Sequence, residues 1–112
     1  MSAVLHFPVH RNRPSPLHFS RAELNRLLSL YSRQVMSGEW RDYAISFAPG
    51  MACFFIFRHS RENPLFVISK LDPRGRRERQ GRYLVTYRQQ KLRQSNSLED
   101  ALAVFNQPLQ LV

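Results

Sequence analysis

The densest chemistry in this chain of 112 residues is cationic. Lys70, Arg74, Arg76, Arg77, Arg79 and Arg82 crowd a polar stretch running from Leu71 to Gly81, and Arg88, Lys91 and Arg93 follow close behind. Between Arg58 and Arg93 there are eleven Lys and Arg against only Glu62, Asp72 and Glu78, so one third of the chain carries nearly all of the formal net charge of +9. A guanidinium presents its N–H groups as a planar fork that matches two phosphate oxygens, and a flexible loop of such forks can follow a polyanion backbone. Binding of that kind is driven by counterion release and reads no sequence. The nine residues are therefore the expected nucleic-acid contacts, with Arg74, Arg76, Arg77, Arg79 and Arg82 at the centre and Lys70, Arg88, Lys91 and Arg93 on the flanks. A pI near 11.0 suggests nucleic acid as the first partner, and an anionic membrane surface or an acidic protein as the second. The opposing expectation is a solvated loop, which leaves a protein-interaction adaptor or a structural homo-oligomer with no nucleic-acid role.

Other chemistries lack a constellation of roles. The eight carboxylates stand mostly beside arginines or at helix starts, where pairing and capping account for them. His18 and His59 lie in turn-like surroundings with no cysteine or aspartate motif near them. His6 and His10 stand four apart, but Pro8 between them breaks the helix that would bring both to one metal. Cys53, the one cysteine, has no internal disulfide partner and no basic neighbour to lower its pKa, so it reads as a small buried hydrophobe in a reducing cytoplasm. Gly75 and Gly81 fit neither a P-loop nor a dinucleotide fingerprint. No catalytic residue, metal site or cofactor is expected, and the chain reads as a non-enzyme. The longest apolar run, Met51 to Phe57, falls far short of the ~20 residues of a membrane helix. Pro8, His10 and Arg11 interrupt any apolar leader.

What must position these residues is announced by a change of hydrophobic period. Up to Gly38 the apolar residues recur at helical spacing, and from Asp42 they alternate, with Trp40 in the corner between. Trp40 is expected to wedge helix against sheet. Residues 1 to 18, broken by Pro8, Pro14 and Pro16, are read as an extended arm whose Val4-Leu5-His6-Phe7 can add an edge strand, and residues 19 to 112 as a single domain. Ser20 is the N-cap of the first helix, Glu23 closes a capping box, and Phe19 and Leu24 staple it. Leu24, Leu27, Leu28, Tyr31 and Val35 form its stripe, and Leu30 widens the apolar face.

Residues 42–48 and 51–58 should form a hairpin around Pro49-Gly50, placing Tyr43, Ile45 and Phe47 on one face with Ala52, Phe54 and Ile56. Ala44, Ser46 and Ala48 then share the other face with Met51, Cys53, Phe55 and Phe57, so the second strand is apolar on both sides. A cover for Phe55 and Phe57 is expected from the other helix, the arm or a second subunit, and self-association is expected through that face or through an exposed edge strand. A third strand is expected from Leu65 to Lys70, a fourth from Arg82 to Arg88, and a short fifth through Leu92 after a turn at Gln89-Gln90. Asn96 or Ser97 caps a last helix that Pro108 ends. The fold class is α+β: a helix, an antiparallel meander of four or five strands, and a C-terminal helix. Leu24, Leu27, Leu28, Tyr31, Trp40, Ile45, Phe47, Phe54, Ile56, Leu102 and Phe105 are its expected core. The run Phe54-Phe55-Ile56-Phe57 is only superficially similar to a strand of an RNA-recognition motif, whose glycine is missing, and core phenylalanines explain it better.

The segment Gly38-Glu39-Trp40-Arg41-Asp42-Tyr43-Ala44-Ile45, preceded by Phe19-Ser20-Arg21 with Glu23-Leu24 and followed by Phe57-Arg58 and Pro64-Leu65, resembles a family of small alphaproteobacterial proteins classed as a domain of unknown function. The resemblance covers residues 19 to 106. It implies a bacterial, cytoplasmic setting and assigns no activity, cofactor or catalytic residue.

Overall fold

The computed structural model describes residues 16–36, 38–59, 63–74 and 81–106. Helix α1, Arg21–Val35, starts where its caps say it must: the Ser20 hydroxyl accepts from the Glu23 N–H at 3.1 Å, and Glu23 Oε1 accepts from the Ser20 N–H at 2.7 Å. The stripe is wider than a single row, as Leu30 implied: Leu27 and Leu30 are the buried pair, while Leu24, Leu28 and Tyr31 pack against the core with part of their surface outside.

Five strands follow in one antiparallel sheet of order β1-β2-β3-β4-β5: β1 Asp42–Ala48, β2 Met51–Phe57, β3 Phe66–Leu71, β4 Tyr83–Tyr87 and β5 Gln90–Ser95. Gly50, with φ +81, supplies the positive dihedral the Pro49-Gly50 turn needs, and Ala48 pairs with Met51. The register therefore sets Tyr43 against Ile56, Ile45 against Phe54 and Phe47 against Ala52, as the two-residue loop required. Phe54, Ile56, Phe66, Ile68 and Val85 continue that face across the next strands and are buried. At Gly81 the chain has no room for a side chain, because a Cβ there would lie 2.5 Å from the Ser95 backbone nitrogen.

Both described helices lie on this one face. Ser97 caps α2, Leu98–Leu102, which runs into a 3-10 turn at Ala103–Asn106 and buries Leu98, Ala101, Leu102 and Phe105. Trp40, only 3% exposed, is the wedge the sequence implied: its ring meets Phe105 edge-on at 5.4 Å and Phe66 at 5.6 Å, and reaches Tyr31 of α1 at 6.2 Å.

The helix is held to the sheet by a charged clamp. Lys70 stands on β3 at a core-facing position, 8% exposed, where an ammonium needs partners; it donates to Glu23 Oε1 and to the His18 carbonyl, each at 2.9 Å. The Tyr83 hydroxyl of β4 donates to Glu23 Oε2. Glu23 thus binds its own cap, β3 and β4 at once. Burial pushes its carboxyl upward, but the hydrogen bonds from Tyr83, Lys70 and Ser20 outweigh that and hold it below its ordinary 4.5. Burial, with Glu23 opposite, pushes the Tyr83 phenol up to about 12.

Four expectations need correction. Ile45, at 36%, and Phe47, at 40%, are not core: β1 stands at the edge of the sheet. The last turn is Arg88-Gln89, not Gln89-Gln90; both residues have positive φ, 47° and 73°, a twist that matches a two-residue hairpin. Strand β5 runs to Ser95 rather than stopping at Leu92, with an irregularity opposite Val85 and Thr86. Cys53 takes its expected place on the face with Phe55 and Phe57 but is only partly buried, its Sγ 3.5 Å from Ser69 Oγ. Of the arm, Pro16 bridges Pro49 and the Leu17 N–H donates to the Ala48 carbonyl, while the strand suggested at residues 4–7, the His6 and His10 pair and the stop at Pro108 lie outside the described residues.

Three measurements check this account. Replacing Lys70 by Met leaves Glu23 buried without its cation and should cost about 3 kcal/mol in chemical denaturation, and Tyr83→Phe about 2 kcal/mol. In the parent, the lowered Glu23 pKa stabilises the fold above pH 4.5, a contribution lost as pH falls below it; the raised Tyr83 pKa stabilises it below pH 10, lost as pH rises towards about 12. Gln89→Gly, at a φ that glycine adopts freely, should raise stability by about 1 kcal/mol.

Candidate nucleic-acid interface

Alternation along β2 sends Phe54 and Ile56 into the core, and it sends Cys53, Phe55 and Phe57 to the opposite face. Neighbouring strands extend that second face with Ala44 and Ser46 on one side and with Val67, Ser69, Leu84 and Thr86 on the other. Both described helices pack on the far side, so among the described residues no helix lies over this surface. Phe55 and Phe57 are half-buried, with ring centroids 6.5 Å apart and planes tilted by 34°. Only two of the four residues in Phe54-Phe55-Ile56-Phe57 are thus core. The other two form an aromatic step on an open sheet.

The cationic residues divide among the two ends of this sheet, its β5 edge and its interior. At one end the β3–β4 connection carries Arg74 and Arg82. Arg74 is exposed, its Nε 3.4 Å from Asp72 Oδ1. Its backbone N–H, 2.8 Å from the same oxygen, is the main reason the Asp72 carboxyl sits below its ordinary range, with the guanidiniums of Arg74 and Arg82 adding to it. Arg82 is half-buried, and its Nε has no hydrogen-bond partner among the described residues. Arg76, Arg77 and Arg79, the centre of the expected contact, lie outside the described residues.

Arg88 lies at the other end, in the β4–β5 turn, its guanidinium carbon 5.4 Å from the Tyr87 ring centroid. The turn is fastened to the β2–β3 connection, because the Arg88 N–H donates to the Leu65 carbonyl at 3.0 Å. Arg58 and His59, both exposed, follow β2 at this same end. Five or six strand residues at ~3.3 Å each put ~20 Å between the two basic ends, so Arg88 does not join Arg74 and Arg82 in one cluster.

The remaining flanks differ again. Lys91, on β5, pairs with Thr86 of the open face and donates to Gln94 Oε1 at 3.3 Å. Arg93 points the other way, opposite Val85, and its Nη2 is 2.6 Å from Asp100 Oδ1 of α2. Lys70 is spent inside the fold on Glu23 and is not offered to a phosphate. The sequence carried the signal for this: Lys70 continues the Phe66, Ile68 alternation, so its side chain must face the core. Among the described residues no group of three His, Cys, Asp or Glu is placed to hold a metal, and no helix is long and apolar enough to cross a membrane.

Comparison with known proteins gives one match. A family model described as protein of unknown function, DUF2794, covers residues 17–102. No curated protein and no solved structure matches the chain. The matched span runs from just before the cap of α1 to the end of α2 and includes the clamp, all five strands and the open face, so the chain belongs to the DUF2794 family.

Proposed function

We propose that the chain binds nucleic acid, single strands in preference to duplex, without sequence preference and without catalysing a reaction, in the bacterial cytoplasm. The observation that carries this reading is the face itself: two phenylalanine rings on a sheet surface that no described helix covers, with arginines at both of its ends. Base faces stack on exposed rings whatever their sequence, while guanidiniums track the backbone, and this pairing is how sequence-tolerant single-strand binders work. The ~20 Å between the ends suits a short run of nucleotides laid along the strands. Arg74 and Arg82 continue the track at one end, Arg58 and Arg88 at the other. Lys70 and Arg93 drop out of the contact set, being engaged with Glu23 and Asp100.

A second reading, self-association through β1, is favoured by a different observation. Tyr43, Ile45 and Phe47 are each exposed by a third or more along an edge strand with no charge between Asp42 and Ala48. The opposite edge, β5, carries Lys91 and Arg93 and an irregular register, the usual protections against edge pairing.

Salt-titrated binding to generic single strands and duplexes tests the first reading. Affinity should fall steeply from low to physiological salt, and Arg76→Ala, Arg77→Ala and Arg79→Ala together should flatten the slope of log affinity against log salt by roughly 0.7 per lost single-strand contact. Phe55→Ala and Phe57→Ala should each cost about 1–3 kcal/mol on single strands and little on duplex. No binding at low salt would sink the reading. For self-association, sedimentation should show a dimer at high concentration that Ile45→Lys abolishes; a monomer throughout removes it.

A further inference from the structure

Strand β1 stands apart from the rest of the sheet: five of the seven residues in Asp42–Ala48 are apolar, yet none is buried. Its inner edge pairs with β2 along its whole length, from Asp42 with Phe57 to Ala48 with Met51. Its outer edge meets described residues only at the hairpin end, where Pro16 bridges Pro49 and the Leu17 N–H donates to the Ala48 carbonyl at 3.1 Å. Near its other end the Tyr43 N–H donates to the carboxylate of its own neighbour, Asp42, at 2.8 Å. A backbone donor spent on an adjacent side chain marks the outward side of the strand. Every second residue of an antiparallel strand turns its N–H and C=O to the same side, so Ile45 presents its pair outward with Tyr43. Their side chains, 36% and 40% exposed, stand above that edge on the helix side of the sheet.

We infer that this outer edge pairs with the β1 of a second copy, antiparallel, with Ala44 of both copies at the two-fold axis. Two identical strands bonded side by side in antiparallel sense are related by a two-fold perpendicular to the sheet, which keeps each face on its own side. Residues directly opposite one another point to one face, so the axis passes through a residue position rather than between two. Centred on Ile45, the pairing would bring the partner's Asp42 against Ala48, where Leu17 already sits. Centred on Tyr43, it would set the partner's Trp40 beside Ser46 and draw that ring out of the core in which it is 3% exposed. Ala44 avoids both. Tyr43 then exchanges its backbone bonds with the partner's Ile45, aromatic ring against branched side chain, and Asp42 faces the partner's Ser46, so no like charges meet across the strands.

A second copy fits this edge better than a charged partner would. Strand β1 carries no Lys or Arg, so two chains of formal net charge +9 approach where that charge is absent. Ala44 is also the residue opposite Phe55, so the axis lines up the Phe55 rings of both copies in one row across the joined sheets, ~14 Å apart and on the same surface. The pairing rests on the self-association reading, to which it gives a partner and a register, and it stands without the nucleic-acid one. Five residues a side make a small interface against the ~1,600 Å² of a stable complex, so the dimer belongs to high protein concentration.

The test uses the full chain with Cys53→Ser, which removes the native thiol, and adds either Ala44→Cys or Ser46→Cys. Across the axis the two Ala44 Cα atoms lie ~4.5 Å apart, within reach of a disulfide, whereas the two Ser46 Cα atoms are four residues out of register and ~14 Å apart. Under mild oxidation Ala44→Cys should give a covalent dimer about tenfold faster than Ser46→Cys, and Ile45→Lys added to it should remove the difference. Sedimentation of the parent should show the dimer strengthening from low to physiological salt, as repulsion between the two cations is screened. Cross-linking at Ser46 as fast as at Ala44, with a dimer still seen in sedimentation, overturns the pairing about Ala44 and leaves self-association standing. A monomer at every concentration and salt overturns both, and leaves the edge of β1 to a different chain.

Discussion

The constraint on which everything else depends is that β2 is apolar on both sides while the described helices cover only one. Phe54 and Ile56 are sealed under α1, Trp40 and Phe105, and burial of a phenylalanine in such a place contributes about 2–3 kcal/mol. Phe55 and Phe57 gain no such cover from a described helix. A strand in mid-sheet cannot satisfy both faces of its pleat from one side, so the fold concentrates its packing energy on one face and leaves the other as surface.

The clamp of Glu23, Lys70 and Tyr83 explains how one face can be closed so firmly with short elements. A capping glutamate is ordinarily a local device worth about 1 kcal/mol to its own helix. Here the same carboxylate accepts from the cap, from β3 and from β4, so the start of α1 cannot shift without breaking contacts to two strands. Its counter-charge comes from a basic residue that composition alone assigns to the polyanion surface. The distant pair Arg26 and Glu99, 2.6 Å apart but exposed, links α1 to α2 with far less consequence.

Much of the fold was legible because local rules and the hydrophobic period agreed. Ser20 with Glu23 gave the helix start, Pro49-Gly50 gave the hairpin register, and Gly38 with Trp40 gave the corner. What failed did so where tertiary placement decides. Nothing in Asp42 to Ala48 says that this strand will stand at the edge of the sheet, so its alternation alone places Ile45 and Phe47 inside. Arg88-Gln89 has none of the residues that a positive-φ turn prefers, which moved the turn and shortened β5. For the site, composition located the charge but not its division between two ends of a sheet; strand pairing alone reveals that β3 and β4 carry their connecting loop at one end and the β4–β5 turn at the other.

The central claim is that the face bearing Phe55 and Phe57, rather than the basic loop alone, is the working surface. Aromatic ring resonances followed by NMR during titration with a single-stranded oligonucleotide test it most directly. Stacking predicts large shifts and broadening for the rings of Phe55 and Phe57, with the buried rings of Phe54 and Phe66 unmoved. Shifts confined to the arginine loop, with the Phe55 and Phe57 rings unchanged at saturation, would contradict it.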